Sequence, residues 1–498
     1  MELKNDDREW LKPSESLTRR TIRGGVWVFA LNLASRGLRL LSTIILARLL
    51  VPSDFGLVGI ALIAISALEL FTRTGFDTAL IQKKGTATEY LDTAWLVSAI
   101  RGIVLAVILF SLSPTIARFF ENAEAASVLR VMAITTVLVG FRNIGVMYFR
   151  KELRFEKQFI FNLGITLTTI SVSIPLAFLL RSVWAIIYGA LAGSLMELIL
   201  SYVLHPYRPR FKFDLGKAKE LFSFGKWVLG SGVLVFLVTQ GDDIFVGKLL
   251  GVTLLGLYQI AYRVSNLPAT EITHVISRVT FPAYSKLQDN KAKLREGYLK
   301  VLQLTSFILF PLAGGIFILA PDFTRIFLGS RWMPMVPAMQ VLAFAGLVRA
   351  VGVTTGPVFL ATGKPEVDTR WQIIRLLALA ALIYPLAIRW EILGVSLAVL
   401  LSILVPTLGF SFRVIKITEC GIKEFVKRIV PPLIGGAIMV LSISILKNYV
   451  KAVRIWEFFL FMGIGIIVYF GLSFLLDKLL NYKVRMLIKE ILASLKGD

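Results

Sequence analysis

The sequence predicts an all-α polytopic membrane protein of about 14 transmembrane helices, built as two parallel six-helix repeats (an N-lobe and a C-lobe) plus two C-terminal helices. Three observations predict it. Hydrophobic residues fill 56% of the 498 positions and charged ones 17%, and the mean hydropathy is +0.74, too apolar for a soluble domain. Apolar runs of about 20 residues, each enough to cross ~30 Å of hydrocarbon as a helix, recur along the whole chain. One stretch also returns without a gap 200 positions later. Gly25-Val26-Trp27, Ala47-Arg48-Leu49-Leu50 and Phe55-Gly56-Leu57 come back as Gly225-Lys226-Trp227, Gly247-Lys248-Leu249-Leu250 and Leu255-Gly256-Leu257. Recurrence in register argues for an internal repeat. A weaker echo links Pro114 to Phe120 with Pro321 to Phe327.

Residues 1–23 are polar, carry both charge signs and Pro13, and read as a cytoplasmic N-terminal segment. Length then places spans near 24–47, 54–77, 91–117, 126–149, 158–180 and 183–204, giving an N-lobe over 24–206. The basic stretch 207–221 reads as a cytoplasmic inter-lobe linker. A C-lobe over 222–415 holds spans near 222–247, 253–281, 301–320, 335–361, 371–390 and 392–415. Two more, near 429–446 and 455–476, lie within 416–498, which ends in a cytoplasmic tail. Thr18-Arg19-Arg20 precedes a run long enough to span, so an uncleaved anchor is expected rather than a cleaved signal.

Loop charge sets the orientation. Lys83 and Lys84, the Arg150–Lys157 cluster, Arg208 to Lys219, Lys286 to Arg295, and Arg413 to Arg428 alternate with connections poorer in Lys and Arg. The rich side is expected to face the cytoplasm, with both termini, in the plasma (inner) membrane. An even number of spans per half gives the halves the same orientation, an arrangement known in transporters. This loop bias accounts for the net charge of +23 without nucleic acid. One cysteine, Cys420, excludes an intrachain disulfide, and His205 and His274 alone offer little to a zinc site. No metal site or cofactor is expected. No Walker loop, nucleophile elbow or HExxH is present, so an enzyme is not expected and transport energy must come from a source other than ATP.

Ionisable groups in hydrocarbon are costly and usually face a wet interior. Asn32, Arg36, Arg39 and Thr43 share one helix face by their i, i+4, i+7, i+11 spacing. Gln259, Arg263, Asn266, Thr270 and His274 form a second polar stripe, with Tyr258 and Tyr262 beside it. Arg349 is central in its span, flanked by Gly346, Gly352 and Gly356. Arg36, Arg263 and Arg349, with Arg39 nearer the outer surface, are expected to form a cationic cavity. A guanidinium fork suits phosphate, so the expected substrate is anionic and phosphorylated. For Arg101 and Arg142, close to the cytoplasmic end, snorkelling or pairing with acids on other helices is the expectation. Glu69 with Arg73, and Arg73 with Asp77, read as structural pairs. Asp242 and Asp243 are candidate gate or coupling residues, although structural pairing, with Lys248 for example, is the commoner fate of such acids.

The segment Ala47 to Leu57, then Gly75-Phe76-Asp77, Ile81-Gln82, Arg150-Lys151-Glu152-Leu153-Arg154-Phe155 and Gly241-Asp242-Asp243-Ile244 together form a pattern. With Ala261-Tyr262-Arg263, Phe281 to Gln288 and Gly363-Lys364-Pro365, it resembles the polysaccharide-transporter branch of the multidrug/oligosaccharidyl-lipid/polysaccharide exporter superfamily. Within that branch it is most similar to Wzx-type flippases and the colanic or teichuronic acid exporters. The resemblance implies two six-helix lobes around a central cavity and an isoprenoid-diphosphate-linked oligosaccharide, an O-antigen or exopolysaccharide repeat unit, moved from inner to outer leaflet by alternating access. It places Arg36, Arg39 and Arg263 in that cavity; together with the deep Arg349 and the polar stripe residues Asn32, Gln259, Tyr262 and Asn266 they are the candidate substrate-binding residues. It also implies the lipid bilayer, H+ or Na+ as coupling ion, and glycan polymerase and assembly machinery as partners. A cation-coupled multidrug exporter of the same fold is one alternative, and a membrane-embedded glycan polymerase or ligase another.

Overall fold

A computed structural model describes residues 35–71, 90–152, 154–364, 366–450 and 454–480. The N-terminal segment, the start of the first span with Asn32, the pairs involving Arg73, and the tail beyond 480 lie outside those residues.

Every regular element among the described residues is helical. In chain order these are α1 (35–49), α2 (Pro52–Phe71), α3 (Leu91–Phe119), α4 (Glu124–Gly140), a 3-10 turn Ile144–Met147 leading into α5 (Tyr148–Lys151), α6 (Phe155–Leu180) and α7 (Trp184–Leu204). Then come α8 (Leu215–Leu249), α9 (Val252–Leu287), α10 (Lys291–Phe323), α11 (Val336–Val353), α12 (Gly356–Ala361), α13 (Glu366–Thr418), α14 (Ile422–Lys447) and α15 (Ile455–Leu480). Among the described residues nine helical segments are long and apolar enough to cross a membrane. Large apolar side chains such as Val107, Phe178, Leu408, Leu441 and Ile467 stand exposed on them. In water such faces would be unstable; against acyl chains they are the expected surface.

The short turn repeats at the 200-residue offset. Helix α1 stops at 49 and α2 starts at Pro52; α8 stops at Leu249 and α9 starts at Val252. Leu50 N–H donates to Leu46 O at 2.8 Å, and Leu250 N–H to Val246 O at 2.9 Å. In the first copy Pro52, which lacks the N–H that a first helical turn leaves orphaned, opens the helix, and the Asp54 carboxylate accepts from Val51 N at 3.0 Å.

Two spans expected to be continuous are broken. The run 126–149 stops at Gly140, because Asn143 takes an extended conformation (φ −61°, ψ 112°) and its side chain accepts from Gly145 N at 2.9 Å. The run 335–361 breaks between α11 and α12 at Thr354 and Thr355, just before Pro357, which sits in the first turn of α12 where its missing N–H costs nothing. The expected spans 371–390 and 392–415 are two arms of α13. Trp390 and Glu391 leave helical geometry (Glu391 φ 48°, ψ −131°), and a Cβ on Gly394 would lie 1.9 Å from Leu386 O. Eight residues of straight helix advance about 12 Å, so this approach requires the chain to reverse there.

The chain divides into two compact units, one of residues 1–236 with 251–253 and one of 237–250 with 254–498. In the first, α3 packs on α4, α6 on α7, and α4 on both α2 and α7. Arg142, just past the end of α4, pairs with Glu197 of α7 at 2.6 Å, and Arg101 donates to the Glu69 carbonyl at 3.4 Å. The expected linker 207–221 is part strap and part helix, since α8 already begins at Leu215. The strap 205–214 lies along this unit: Asn143 Nδ2 donates to Tyr207 O at 2.6 Å, the Tyr207 hydroxyl donates to Asp92, and Phe211 stacks edge-on against Trp95 at 5.3 Å. His205 is buried where the strap leaves α7, and burial, aided by Lys157, Arg154 and Arg208, pushes its imidazole down to about 4. In the second unit α11 packs against α13 and α10, and α14 against α10 and α15.

Candidate functional site in the C-terminal unit

The site grows from one contact between α9 and α11. Both helices are apolar on most faces, so the polar residues they carry must find partners inside. Gly346 lets the helices meet closely, since a Cβ there would lie 2.8 Å from Asn266 Oδ1. Ser265 Oγ donates to Met339 O at 2.8 Å and fixes the rotation of α9 against α11. One turn along from Gly346, Arg349 then reaches across to α9. Its Nη1 donates to the Tyr262 hydroxyl at 2.7 Å, and its Nη2 donates to Asn266 Oδ1 at 2.8 Å and to Thr270 Oγ1 at 3.3 Å. The guanidinium also sits 5.8 Å from the Tyr262 ring centroid. Residues 262, 266 and 270 are one turn apart, so a single helix face presents all three acceptors. All three are neutral: they orient the guanidinium without neutralising it.

Beyond this contact a cavity of about 440 Å³ opens inside the same unit. Arg349 lines it from α11, and Asp368, Gln372 and Arg375 line it from the first arm of α13. Thr407 comes from the second arm, with Phe281 and Phe410 among the apolar walls. Gln372 lies one turn along from Asp368, beside its carboxylate. Arg375 Nε and Gln372 Oε1 are buried atoms without a hydrogen-bond partner. Arg375 lies within Coulombic reach of Asp242, Tyr258, Tyr262 and Arg349. Two guanidinium groups against one carboxylate leave the lining cationic.

Asp242 and Asp243 have partners of their own in this unit. The buried Asp242 accepts from the Tyr258 hydroxyl at 2.7 Å, tying α8 to α9. Asp243 lies beside Gln259 and within Coulombic reach of Arg263. The polar stripe of α9 is therefore divided: Asn266 and Thr270, with Tyr262, serve Arg349, whereas Gln259 and Arg263 face Asp243. The side chain of His274 lies outside the described residues, as does Asn32. Arg36 and Arg39 belong to the other unit, on α1; Arg36 is half-buried, and the exposed Arg39 donates through Nε to Ser35 O at 3.1 Å.

Arg375, Gln372 and Asp368 were not among the residues singled out from sequence. A signal was present, because Asp368, Gln372 and Arg375 repeat the i, i+4, i+7 spacing of Asn32, Arg36 and Arg39. Arg375 sits within two turns of the span's start, where an arginine ordinarily reaches an interface, and this hid it.

Residues 45–337 match the family described as "Polysaccharide biosynthesis protein". The chain is 26% identical over 403 residues to the lipopolysaccharide biosynthesis protein WzxC of Escherichia coli (strain K12), covering 80% of this chain and 82% of that one. It is 29% identical over 316 residues to the teichuronic acid biosynthesis protein TuaB of Bacillus subtilis (strain 168), covering 60% and 62%. Among solved structures, its fold is similar to the lipid II flippase MurJ in an inward closed conformation, with a TM-score of 0.74, 17% identity, and coverage of 92% of this chain and 99% of that one.

Proposed function

The chain belongs to the polysaccharide biosynthesis protein family, in the polysaccharide-exporter branch of the multidrug/oligosaccharidyl-lipid/polysaccharide exporter superfamily, and from that premise we propose that it is a flippase for isoprenoid-diphosphate-linked oligosaccharide. It is a transporter rather than an enzyme. The observation that carries the reading is Arg349: a guanidinium fixed by three neutral acceptors and turned toward a cavity holding a second arginine. Such a group holds its charge ready for an incoming anion, and its fork matches two phosphate oxygens at once. A cationic drug would meet repulsion at the same lining, which disfavours the drug-exporter alternative.

In this reading Arg349 takes the diphosphate, and Arg263, Arg36 and Arg39 are further candidate phosphate-binding residues by the same chemistry. Tyr262, Asn266, Gln259 and Asn32 orient those guanidinium groups or meet sugar hydroxyls, while the isoprenoid stays in the bilayer. Asp242 and Asp243 are the residues we assign to coupling with H+ or Na+. The loop charges support cytoplasmic termini in the plasma membrane and uptake from the cytoplasmic leaflet. Glycan polymerase and assembly machinery would receive the cargo. Removing the protein should make lipid-linked glycan accumulate on the cytoplasmic face and abolish surface glycan, with wild type restoring both. Normal surface glycan with no lipid-linked intermediate retained would sink the proposal.

A further inference from the structure

The cavity between α11 and the two arms of α13 offers more than an anion needs. A bare phosphate would use the two arginines and leave the other polar groups of the lining idle. Those are hydrogen-bond acceptors: Gln372 Oε1, buried and without a partner, and the neighbouring Asp368 carboxylate. A buried acceptor without a donor is destabilising, so a ligand that supplies hydroxyl groups gains by entering. One turn along the same helix face, Arg375 Nε has a donor to spare. Phe281 and Phe410 supply apolar surface of the kind that packs against the C–H face of a sugar ring. At about 440 Å³ the cavity falls in the range of ~300–1,000 Å³ that suits one small ligand. It holds a fragment and not a whole oligosaccharide.

We propose that this cavity is a subsite for a hexosyl phosphate, the sugar directly attached to the diphosphate of the cargo, with Arg375 and Arg349 on the phosphoryl oxygens and Gln372 with Asp368 on the ring hydroxyls. The inference rests on the flippase reading and deepens it. Arg375 is then a second phosphate-binding residue, and Gln372 determines specificity by testing whether a sugar is present. The same chemistry, phosphate beside vicinal hydroxyls, also occurs in a phosphatidylglycerol headgroup, so the two sources must be separated.

The test uses the full chain in nanodiscs and two probes: isoprenyl diphosphate carrying a single hexose, and bare isoprenyl diphosphate. Arg375→Ala should weaken both probes by about ten- to a hundredfold. Gln372→Leu should weaken the hexose probe by about tenfold and leave the bare diphosphate unchanged. Where either variant does not fold, as read from its thermal transition, Arg375→Lys and Gln372→Asn replace them and should give the same pattern with smaller factors. Equal effects of the Gln372 variant on both probes, or none on either, would overturn the sugar assignment. Unchanged binding in Arg375→Ala would overturn the phosphate assignment. Phosphatidylglycerol that displaces the hexose probe as well as unlabelled probe does would make this a lipid-headgroup site and overturn the proposal. Failure here can be told from failure of the flippase reading. If Arg349→Ala loses bare diphosphate while Gln372→Leu does not discriminate, only the subsite fails; if no variant loses either probe, both readings fail.

Discussion

Substituting the partners of Arg349, and not only Arg349 itself, separates a positioned charge from a structural one. The guanidinium makes three bonds, two of them at 2.7 and 2.8 Å and one, to Thr270, longer at 3.3 Å. Charge-assisted bonds contribute about 1.5–3 kcal/mol in soluble proteins, but inter-helix hydrogen bonds in membranes average nearer ~0.6 kcal/mol, because the inserted unfolded chain also finds partners. The smaller figure governs folding, so Tyr262→Phe and Asn266→Ala should each cost about 0.6–1.7 kcal/mol of stability and leave an inserted protein. The larger figure governs ligand binding, where the competing state is an anion in water. Arg349→Ala should weaken binding of isoprenyl diphosphate by about one to two orders of magnitude. Arg349→Lys keeps the charge without the fork and should recover part of it. Asn266→Ala should fall between lysine and wild type. Thermal unfolding in detergent reads the first set, and nanodisc binding with surface-glycan complementation reads the second. A well-folded Arg349→Ala protein with wild-type affinity and full surface glycan would refute the reasoning. So would a loss of function that merely tracks a lowered transition temperature across all four variants.

Three further outcomes follow from other parts of the structure. His205 Nδ1 accepts from Tyr207 N at 3.2 Å, and its pKa is pushed down to about 4 from an ordinary 6.5. Its stabilising effect is thus complete above 6.5 and is lost as pH falls toward 4, with about 3 kcal/mol at stake. Amide exchange in 205–214 should accelerate over that window beyond its intrinsic pH dependence, and His205→Asn should remove the excess; equal profiles would refute it. Arg142→Ala should destabilise by roughly 1–3 kcal/mol because it strands Glu197, and adding Glu197→Ala should recover part of the loss in a double-mutant cycle. Gly394→Ala should cost about 1–3 kcal/mol, because its new Cβ meets the Leu386 carbonyl, whereas Gly315→Ala, with open space around it, should be neutral or stabilising by up to ~1 kcal/mol in the same melting assay.

The sequence by itself determined the helical class and the short turn shared by α1–α2 and α8–α9, because each rests on local chemistry. Hydropathy and length fix a span, and a proline or an abrupt polar turn ends one. It also picked out Arg349, since depth within a span can be counted along the chain. Only the tertiary structure decided which partners that arginine meets. Its acceptors lie 79 to 87 positions away in sequence, and helical periodicity says which residues share a face but not which helix that face will meet. The stripe on α9 illustrates the limit: Gln259, Arg263, Asn266 and Thr270 read as one surface, yet packing gives half of it to Arg349 and half to Asp243. Breaks in two apolar runs were equally hidden, because Asn143 and Thr354–Thr355 sit in sequence that is hydrophobic enough to continue. Arg375 is the clearest case. Near the start of a span an arginine can reach water, and only the fold, by closing α11 and the second arm of α13 around it, turned that side chain inward.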